Sequence, residues 1–249
     1  METTTRPAPD RPARAGATTP LAAPGRRVLL LGAGTLGAGL ALGTGTADAA
    51  RPTLRRGSRG SAVTSLQNAL NRLRYWCGTA DGSFGHLTQQ AVFALQKAAG
   101  LARDGVVGRK TYAALDAGKR PSRRITSGSG FEVDLSRQLI IATSGGKLAH
   151  ILNTSTGSGQ RYYSGGRWKT ATTPRGDFRM YSLHSTGWQS GPLGNLYRPG
   201  YYDRGWAIHG STSIPAHPAS HGCCRLSVGA TDMLWKGGWF RSGQRVLVR

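Results

Sequence analysis

Acidic residues are scarce in this chain of 249 residues, which has 11 aspartates and glutamates against 33 lysines and arginines and a formal net charge of +22. Such an excess of positive charge favours a polyanion as partner. Nucleic acid is the first candidate, but the sequence contains no zinc-finger spacing, basic heptad repeat or aromatic-rich RNA-binding signature. Charge alone does not specify a partner, and an anionic cell envelope fits it equally well.

Long apolar runs are also lacking. The longest, Val28 to Leu42, is short and glycine-rich for a membrane anchor. It follows a polar leader ending in Arg26-Arg27 and precedes Ala47-Asp48-Ala49, which has the small residues of a cleavage site. We therefore predict an export signal over residues 1–50, of the general secretory or twin-arginine type, and no stable membrane span after processing. Removal of residues 1–49 leaves 28 basic and 8 acidic residues, a charge of +20, and export argues against nucleic acid as the partner.

Cysteine is rare, with Cys77, Cys223 and Cys224 as the three examples. An odd number in an exported chain leaves at least one thiol unpaired, and such a thiol is expected to be buried or used. Cys77 follows Tyr75-Trp76 and is most simply a buried core thiol. A Cys223–Cys224 disulfide and a Cys77–Cys224 disulfide remain alternatives.

A turn motif occurs twice within residues 54–117, as DGSFGHLT from Asp81 and as DGVVGRKT from Asp104. The Asp-Gly pair favours a tight turn, the second glycine permits positive φ, and the threonine is suited to cap the following helix. Apolar residues recur at helical spacing around the first copy: Val63, Leu66, Leu70, Leu73, Ala91, Val92, Leu95 and Ala99. The pattern predicts a compact all-α module of three short helices.

The opening Gly57 to Gln67 and the two repeats resemble the family of small three-helix peptidoglycan-binding domains. The resemblance implies a domain over residues 51–118 that holds the protein on the cell wall. A folding spacer is the alternative, because the matched residues are mostly fold-making ones. The next stretch is rich in basic residues, serine and glycine and predicts a solvated linker over residues 119–130.

Beyond the linker the pattern changes to alternating and β-branched residues, which predicts a mainly-β second domain over residues 131–249. Predicted strands include residues 131–135, 138–143, 147–154, 178–182, 206–209 and 245–248, and the one predicted helix is 228–236. Between 155 and 202 lies a long glycine- and aromatic-rich stretch that includes Tyr201 and Tyr202. Its aromatic rings could bind glycan or peptide, or simply pack onto the sheet.

Potentially reactive side chains concentrate between residues 208 and 226. His209 ends a predicted strand, and Ser220-His221-Gly222-Cys223 forms a glycine-flanked turn 14 residues later. A cysteine nucleophile needs a base to deprotonate it and a third group to orient that base. A histidine at a strand end suits the role of base, and such a turn could expose the sulfur and offer backbone N–H groups to an oxyanion.

This segment resembles the catalytic motif of the L,D-transpeptidases of the YkuD type, and Thr173-Pro174-x-Gly176-x-Phe178 is a second landmark of that family. The family fold is a β-sandwich-like domain. The resemblance implies that Cys223 is the acylated nucleophile, that His209 activates it, and that the Gly210 carbonyl orients His209 in place of a carboxylate. The other implied site residues, for positioning or substrate binding, are His221, Arg225, Ser220, Gly222, Tyr201 and Tyr202.

The reaction implied is attack of Cys223 on the third residue of a tetrapeptide stem, loss of D-Ala, and transfer of the thioester to a second stem. Peptidoglycan stem peptides and glycan are the expected partners, with anionic wall polymers, and no cofactor or metal is implied. Water as acceptor would make the site an L,D-carboxypeptidase. A zinc peptidase using His209, His217, His221 and the two neighbouring cysteines is a rival, although no His-Glu-x-x-His run is present. A non-catalytic wall-adhesion protein is another.

Overall fold

The computed structural model describes residues 51–249. The predicted export signal, residues 1–50, lies outside the described residues. No helix in the described part is long and apolar enough to span a membrane.

Three helices form the first part of the described chain: α1 (Ser61–Arg72), α2 (His86–Ala98) and α3 (Arg109–Asp116). Their apolar faces meet in one core that includes Leu66, Leu70 and Leu95. The two turn threonines do not cap helices as expected. Glycines 85 and 108 occupy the N-cap positions of α2 and α3, without a side-chain hydrogen bond.

Two buried glutamines hold the repeated turns. Gln67 donates to the Asp81 carboxylate (2.9 Å), the Ser83 carbonyl (3.1 Å) and the Thr88 hydroxyl (3.0 Å), and accepts from the Gly82 amide (2.9 Å). Gln96 makes the same four bonds to the second turn at Asp104, Val106, Thr111 and Gly105. In each repeat, one buried glutamine amide therefore supplies hydrogen-bond partners to the turn and to the first turn of the next helix.

The remaining elements are mainly strands. They are β1 (Gly130–Asp134), β2 (Leu139–Ser144), β3 (Lys147–Asn153), β4 (Arg161–Ser164), β5 (Arg167–Thr170), β6 (Gly176–Arg179), β7 (Ser182–Leu183), β8 (Trp188–Gly191), β9 (Gly194–Asp203), β10 (Trp206–Ser211), β11 (Cys224–Ser227), α4 (Val228–Lys236) and β12 (Arg245–Val248).

Two sheets face each other across the second core. One has the order β3-β2-β1-β12-β6, the other has the order β11-β10-β9-β7 with β8 paired to β9, and β4 and β5 form a separate hairpin. The core between the sheets contains Phe131 and Ile140 from the first sheet and Ile208 and Leu226 from the second. The prediction of a helical module followed by a mainly-β, sandwich-like domain is confirmed. The last strand lies inside its sheet, because β12 pairs with both β1 and β6.

The helices cover the outer face of the first sheet. Strand β2 is buried at nearly every position, because Ile140 faces the other sheet whereas Leu139 packs into the helical core with Ile151 of β3. A sheet covered on both faces is expected to show continuous burial in this way. The Ile151 amide also donates to the Arg74 carbonyl (2.7 Å). Helices and sheet therefore share a core.

The predicted solvated linker is wrong at its centre. Ile125 is buried, and its amide and that of Arg124 donate to the Glu132 carboxylate at 3.3 and 2.6 Å. Arg249 pairs with the same buried carboxylate. Burial of the Ile125 side chain and the hydrogen bonds to the buried Glu132 carboxylate thus hold this stretch against the sheet.

We predict that Gln67→Ala lowers the free energy of unfolding by about 3 kcal/mol, because it leaves the Gly82 amide and the Ser83 carbonyl without their partner. Urea denaturation followed by circular dichroism measures the change. The neighbouring Asn68 is exposed, so Asn68→Ala serves as the control and is expected to change stability by less than about 0.5 kcal/mol. Equal stability of the two variants would contradict a stabilising role of the Gln67 hydrogen bonds.

Candidate active site

Parallel pairing of β10 with β11 brings the two predicted catalytic residues together. His209 lies opposite Arg225, and Ile208 lies opposite Cys224. Because side chains alternate along a strand, Ile208 and Cys224 enter the core, whereas His209 and Arg225 face outward with Cys223, two residues before Arg225. His209, Cys223 and Arg225 all line one cavity.

His209 is 5% exposed, and its Nδ1 lies 2.8 Å from the Gly210 carbonyl oxygen. A carbonyl only accepts hydrogen bonds, so Nδ1 carries the proton and Nε2 keeps its lone pair. Burial lowers the pKa of His209 to about 4, although the Gly210 carbonyl opposes the shift. The imidazole is therefore neutral at pH 7 and free to accept a proton at Nε2. The Gly210 carbonyl thus lies against the ring that it was predicted to orient, and its role in catalysis stays a prediction.

The Cys223 thiol is partly exposed and donates to the Gly205 carbonyl at 3.6 Å. Burial raises the pKa of this thiol above its ordinary value, while the Ala207 amide and the positive charge of Arg225 lower it. No hydrogen bond joins Cys223 to His209 in the described residues. The resting pair is thus a neutral thiol and a neutral imidazole, and not a preformed ion pair.

Helix α4 does not stabilise a Cys223 thiolate. Strand β11 separates the thiol from the helix, which begins after Ser227, whose hydroxyl accepts from the Ala230 amide at 3.2 Å. Four strand residues span about 13 Å, and the field of a helix end falls off within its first turn. The N-terminus of α4 is therefore too far from the Cys223 sulfur to lower the pKa of the thiol.

The turn before Cys223 is held by its own hydrogen bonds. The Ser220 hydroxyl donates to the Cys223 carbonyl (2.7 Å) and accepts from the Gly222 amide (2.9 Å). The Thr173 hydroxyl donates to the Gly222 carbonyl (2.6 Å). Gly222 has φ +140°, and a Cβ there would lie 2.4 Å from Nε1 of Trp206. Ser220 lines the cavity, and its hydroxyl accepts from the Gly222 amide, so the substrate-binding role of these two residues stays a prediction.

The cavity has a volume of about 590 Å³ and lies between two hairpins. Its lining includes Tyr162, Arg167 and Lys169 from the β4–β5 hairpin and residues 193–196 from the β8–β9 hairpin. Arg204 and Arg225 add positive charge, and no aspartate or glutamate lines the cavity in the described chain. The site is therefore suited to an anionic ligand.

The remaining predicted site residues divide between cavity and core. His221 is exposed and lines the cavity, with its ring 4.7 Å from that of Tyr162. Tyr201 is half-buried on β9. Tyr202 is 3% exposed, and its hydroxyl lies 3.6 Å from the Cys224 sulfur in the core. The substrate-binding role predicted for Tyr202 is wrong, because adjacent strand residues face opposite sides of the sheet and only one of the pair is available.

Two family models match the chain: a peptidoglycan-binding domain over residues 59–115 and the YkuD L,D-transpeptidase catalytic domain over residues 129–248. A crystal structure of an L,D-transpeptidase from Xylanimonas cellulosilytica is 49% identical, with a TM-score of 0.76, over 79% of this chain and 97% of that one. The chain belongs to the L,D-transpeptidase family. A second L,D-transpeptidase structure, from Stackebrandtia nassauensis, is 22% identical over 79% of this chain and 94% of that one, with a TM-score of 0.46.

Both resemblances inferred from the sequence are thereby confirmed. The protein is a peptidoglycan-modifying transpeptidase with a peptidoglycan-binding domain, and peptidoglycan is its partner. Within residues 51–249, no group of three histidine, cysteine or acidic side chains has the arrangement of a metal site.

The other two cysteines of this L,D-transpeptidase are buried, and all three are free. Cys224 is fully buried in the core between the sheets, and Cys77 lies in the helical core. Burial raises the pKa of each to about 12. Neither alternative disulfide is present.

Sequence reasoning missed several residues around the cavity, among them Arg204, Trp206 and the lysine and arginine of the β4–β5 hairpin. The Arg204 guanidinium lies 4.8 Å from the Trp206 ring centre, and the Trp206 indole donates to the Thr172 carbonyl (3.0 Å). The clustering of basic and aromatic residues between 161 and 206 was the available signal. It did not indicate which of them face Cys223.

We predict that iodoacetamide modifies one cysteine of the native protein, Cys223, and that its rate has a midpoint above the pKa of an ordinary thiol because burial raises the pKa of Cys223. Arg225→Met should raise this midpoint further, since the arginine charge favours the thiolate. Mass spectrometry of peptides after labelling across pH measures both effects. Cys223→Ser is the control, and labelling of Cys77 or Cys224 in the native protein would be inconsistent with the described burial.

Proposed function

We propose that this protein is an exported L,D-transpeptidase that acts through a Cys223 thioester, with His209 as the base and the Gly210 carbonyl as its orienting group. The observation that carries the proposal is the placement of His209 on β10 and of Cys223 directly before the paired strand β11, both lining one cationic cavity. The 2.8 Å contact between His209 and the Gly210 carbonyl supplies the required tautomer.

Acylation begins when Nε2 of His209 takes the thiol proton from Cys223 and the sulfur attacks the carbonyl carbon of the third stem residue. The S–C bond forms as the carbonyl becomes a tetrahedral oxyanion. The C–N bond to D-Ala then breaks, and His209 returns the proton to the departing amine. Before the attack, the Cys223 thiol must break its hydrogen bond to the Gly205 carbonyl and turn toward His209.

Transfer to the acceptor follows the same route in reverse. An amine of a second stem attacks the thioester, His209 takes its proton, and the C–S bond breaks to regenerate the thiol. The energy of the original peptide bond is kept in the thioester, so the new bond needs no ATP. Water in place of the amine would give a shortened stem, and the product identifies the acceptor.

Arg225 is the residue best placed to bind a carboxylate of the stem peptide. Its backbone is fixed by a bond from its amide to the Ser155 carbonyl (3.1 Å) and one from the Thr154 hydroxyl to its own carbonyl (2.8 Å). Its half-buried guanidinium takes part in none of the salt bridges of the described chain, and burial lowers its pKa. Such a guanidinium gains most from a planar carboxylate partner. His221, which lines the same cavity, would form part of the wall around the stem.

The remaining features concern location. Export would remove residues 1–50, and the processed chain would keep a charge of about +20, which favours adhesion to anionic wall polymers. The helical domain, residues 51–118, would bring the catalytic domain, residues 131–249, to its polymer. These roles complement the chemistry of Cys223 and do not depend on it.

Incubation of the protein with a tetrapeptide-stem muropeptide tests the nucleophile. We expect a thioester adduct on the protein and a cross-linked dimer among the products, both detected by mass spectrometry. Cys223→Ala should form no adduct, whereas Cys224→Ala should form it wherever it folds. Activity that survives loss of Cys223 and disappears with a metal chelator would instead favour the zinc peptidase.

A second prediction concerns the base and its pH dependence. Because burial lowers the pKa of His209 to about 4, the imidazole is neutral above that pH, and kcat/KM should hold its plateau down to about pH 5. It should then fall as His209 is protonated. His209→Gln should lower kcat by about 10²- to 10⁴-fold. An acid limb near the ordinary histidine pKa would contradict the buried, neutral base.

A further inference from the structure

Helix α2 of the helical domain carries a buried lysine that points into the catalytic domain. Lys97 is 2% exposed, and its Nζ donates to the carbonyls of Gln138 (3.0 Å) and Thr154 (3.0 Å) and to the side-chain oxygen of Asn153. Burial lowers the pKa of Lys97 to about 6, whereas the three acceptors match the three donors of its ammonium form and favour that form. None of them is a carboxylate, so the lysine serves to hold backbone carbonyls of the other domain in place.

Gln90, two turns earlier on the same helix, reaches the loop that connects the catalytic residues. Its amide nitrogen donates to the Ile214 carbonyl (3.4 Å), and its oxygen accepts from the Asn153 amide (2.6 Å), which also donates to Ile214 (3.4 Å). Ile214 lies in the irregular stretch 212–219, between the strand of His209 and the turn of Cys223. Arg103 adds a bond to the Ala216 carbonyl (3.3 Å).

The segment held by Lys97 is also the support of the catalytic turn. The Thr156 carbonyl accepts from the amides of Ala219 (3.0 Å) and Ser220 (2.9 Å). The Ser155 hydroxyl donates to the His217 carbonyl (2.8 Å). Gln138 exchanges two further bonds with Thr156, at 2.7 and 2.9 Å. Residues 153–156 are therefore fixed on one side by the helical domain and fix the Cys223 turn on the other.

We propose that Gln90 and Lys97 are positioning residues for acyl transfer, so that the peptidoglycan-binding domain is a structural part of the active site as well as an anchor on the wall. Neither residue lines the cavity, and each acts through the 212–219 loop or the 153–156 segment. A shift of about 1 Å in a catalytic group can cost about 10²-fold in rate. The inference rests on the proposed nucleophilic role of Cys223.

The test compares Gln90→Ala and Lys97→Met with two controls in the full chain. Gln89→Ala removes the neighbouring glutamine, which lies beside Gly105 within the helical domain, and Lys119→Met removes the same charge from an exposed position. We expect kcat to fall about tenfold or more in the first pair while KM stays within about twofold, because the cavity walls are unchanged. The controls should match the wild type.

The pH profile of Cys223 alkylation by iodoacetamide separates positioning from mere stabilisation. A displaced turn should move the midpoint of this profile in Gln90→Ala and Lys97→Met. A lowered melting temperature with wild-type kcat, KM and midpoint would overturn the proposal. If Lys97→Met does not fold, the kinetic constants and the alkylation midpoint of Gln90→Ala test the proposal alone. If the wild type forms no thioester, the proposed function fails, whereas the alkylation profiles still report on positioning.

Discussion

The parallel pairing of β10 with β11 is the constraint on which the rest of the site depends. His209 lies within β10, two residues before that strand ends at Ser211, and Cys223 is the last residue before the chain re-enters the sheet as β11. A one-residue slip of β11 would send Cys223 toward the core and bring Cys224 to the cavity. Burial of Cys224 and Leu226 in the core beside Ile208 of β10 opposes that slip, because it would turn these two apolar side chains of β11 out of the core.

Burial also sets the protonation states of His209 and Cys223. Both groups lose solvation, which raises the pKa of the Cys223 thiol and lowers the pKa of the His209 imidazole, so both are neutral at rest. A neutral thiol is less open to oxidation than a thiolate, a useful property outside the cytoplasm. The Gly210 carbonyl contacts the ring without adding a negative charge that would raise the pKa of His209, and no acid lines the cavity in the described chain, so its field stays positive.

Much of this architecture could be predicted from the sequence, because the signals were local. Periodicity indicated the helices, alternation indicated the strands, and the resemblance of His209-Gly210 and the Ser-His-Gly-Cys run to the L,D-transpeptidase motif indicated the site. Which neighbour of an aromatic pair faces the cavity was not local information, and Tyr202 was misassigned for that reason. The roles of Gln67 and Gln96 were missed as well, since each glutamine lies on the helix that precedes the turn to which it is hydrogen-bonded.

Lys97 was invisible to sequence reasoning because its position on an amphipathic helix resembles a solvated one. Its burial, which lowers the pKa of the amine to about 6, is tolerated because the catalytic domain places three acceptors around Nζ, and a half-satisfied network would cost more than an apolar contact. Such a network fixes relative placement more strictly than the shared apolar core, since carbonyls accept within a narrow range of distance and angle. Apolar packing thus holds the helices on the sheet, and the polar network determines where the catalytic turn stands relative to them.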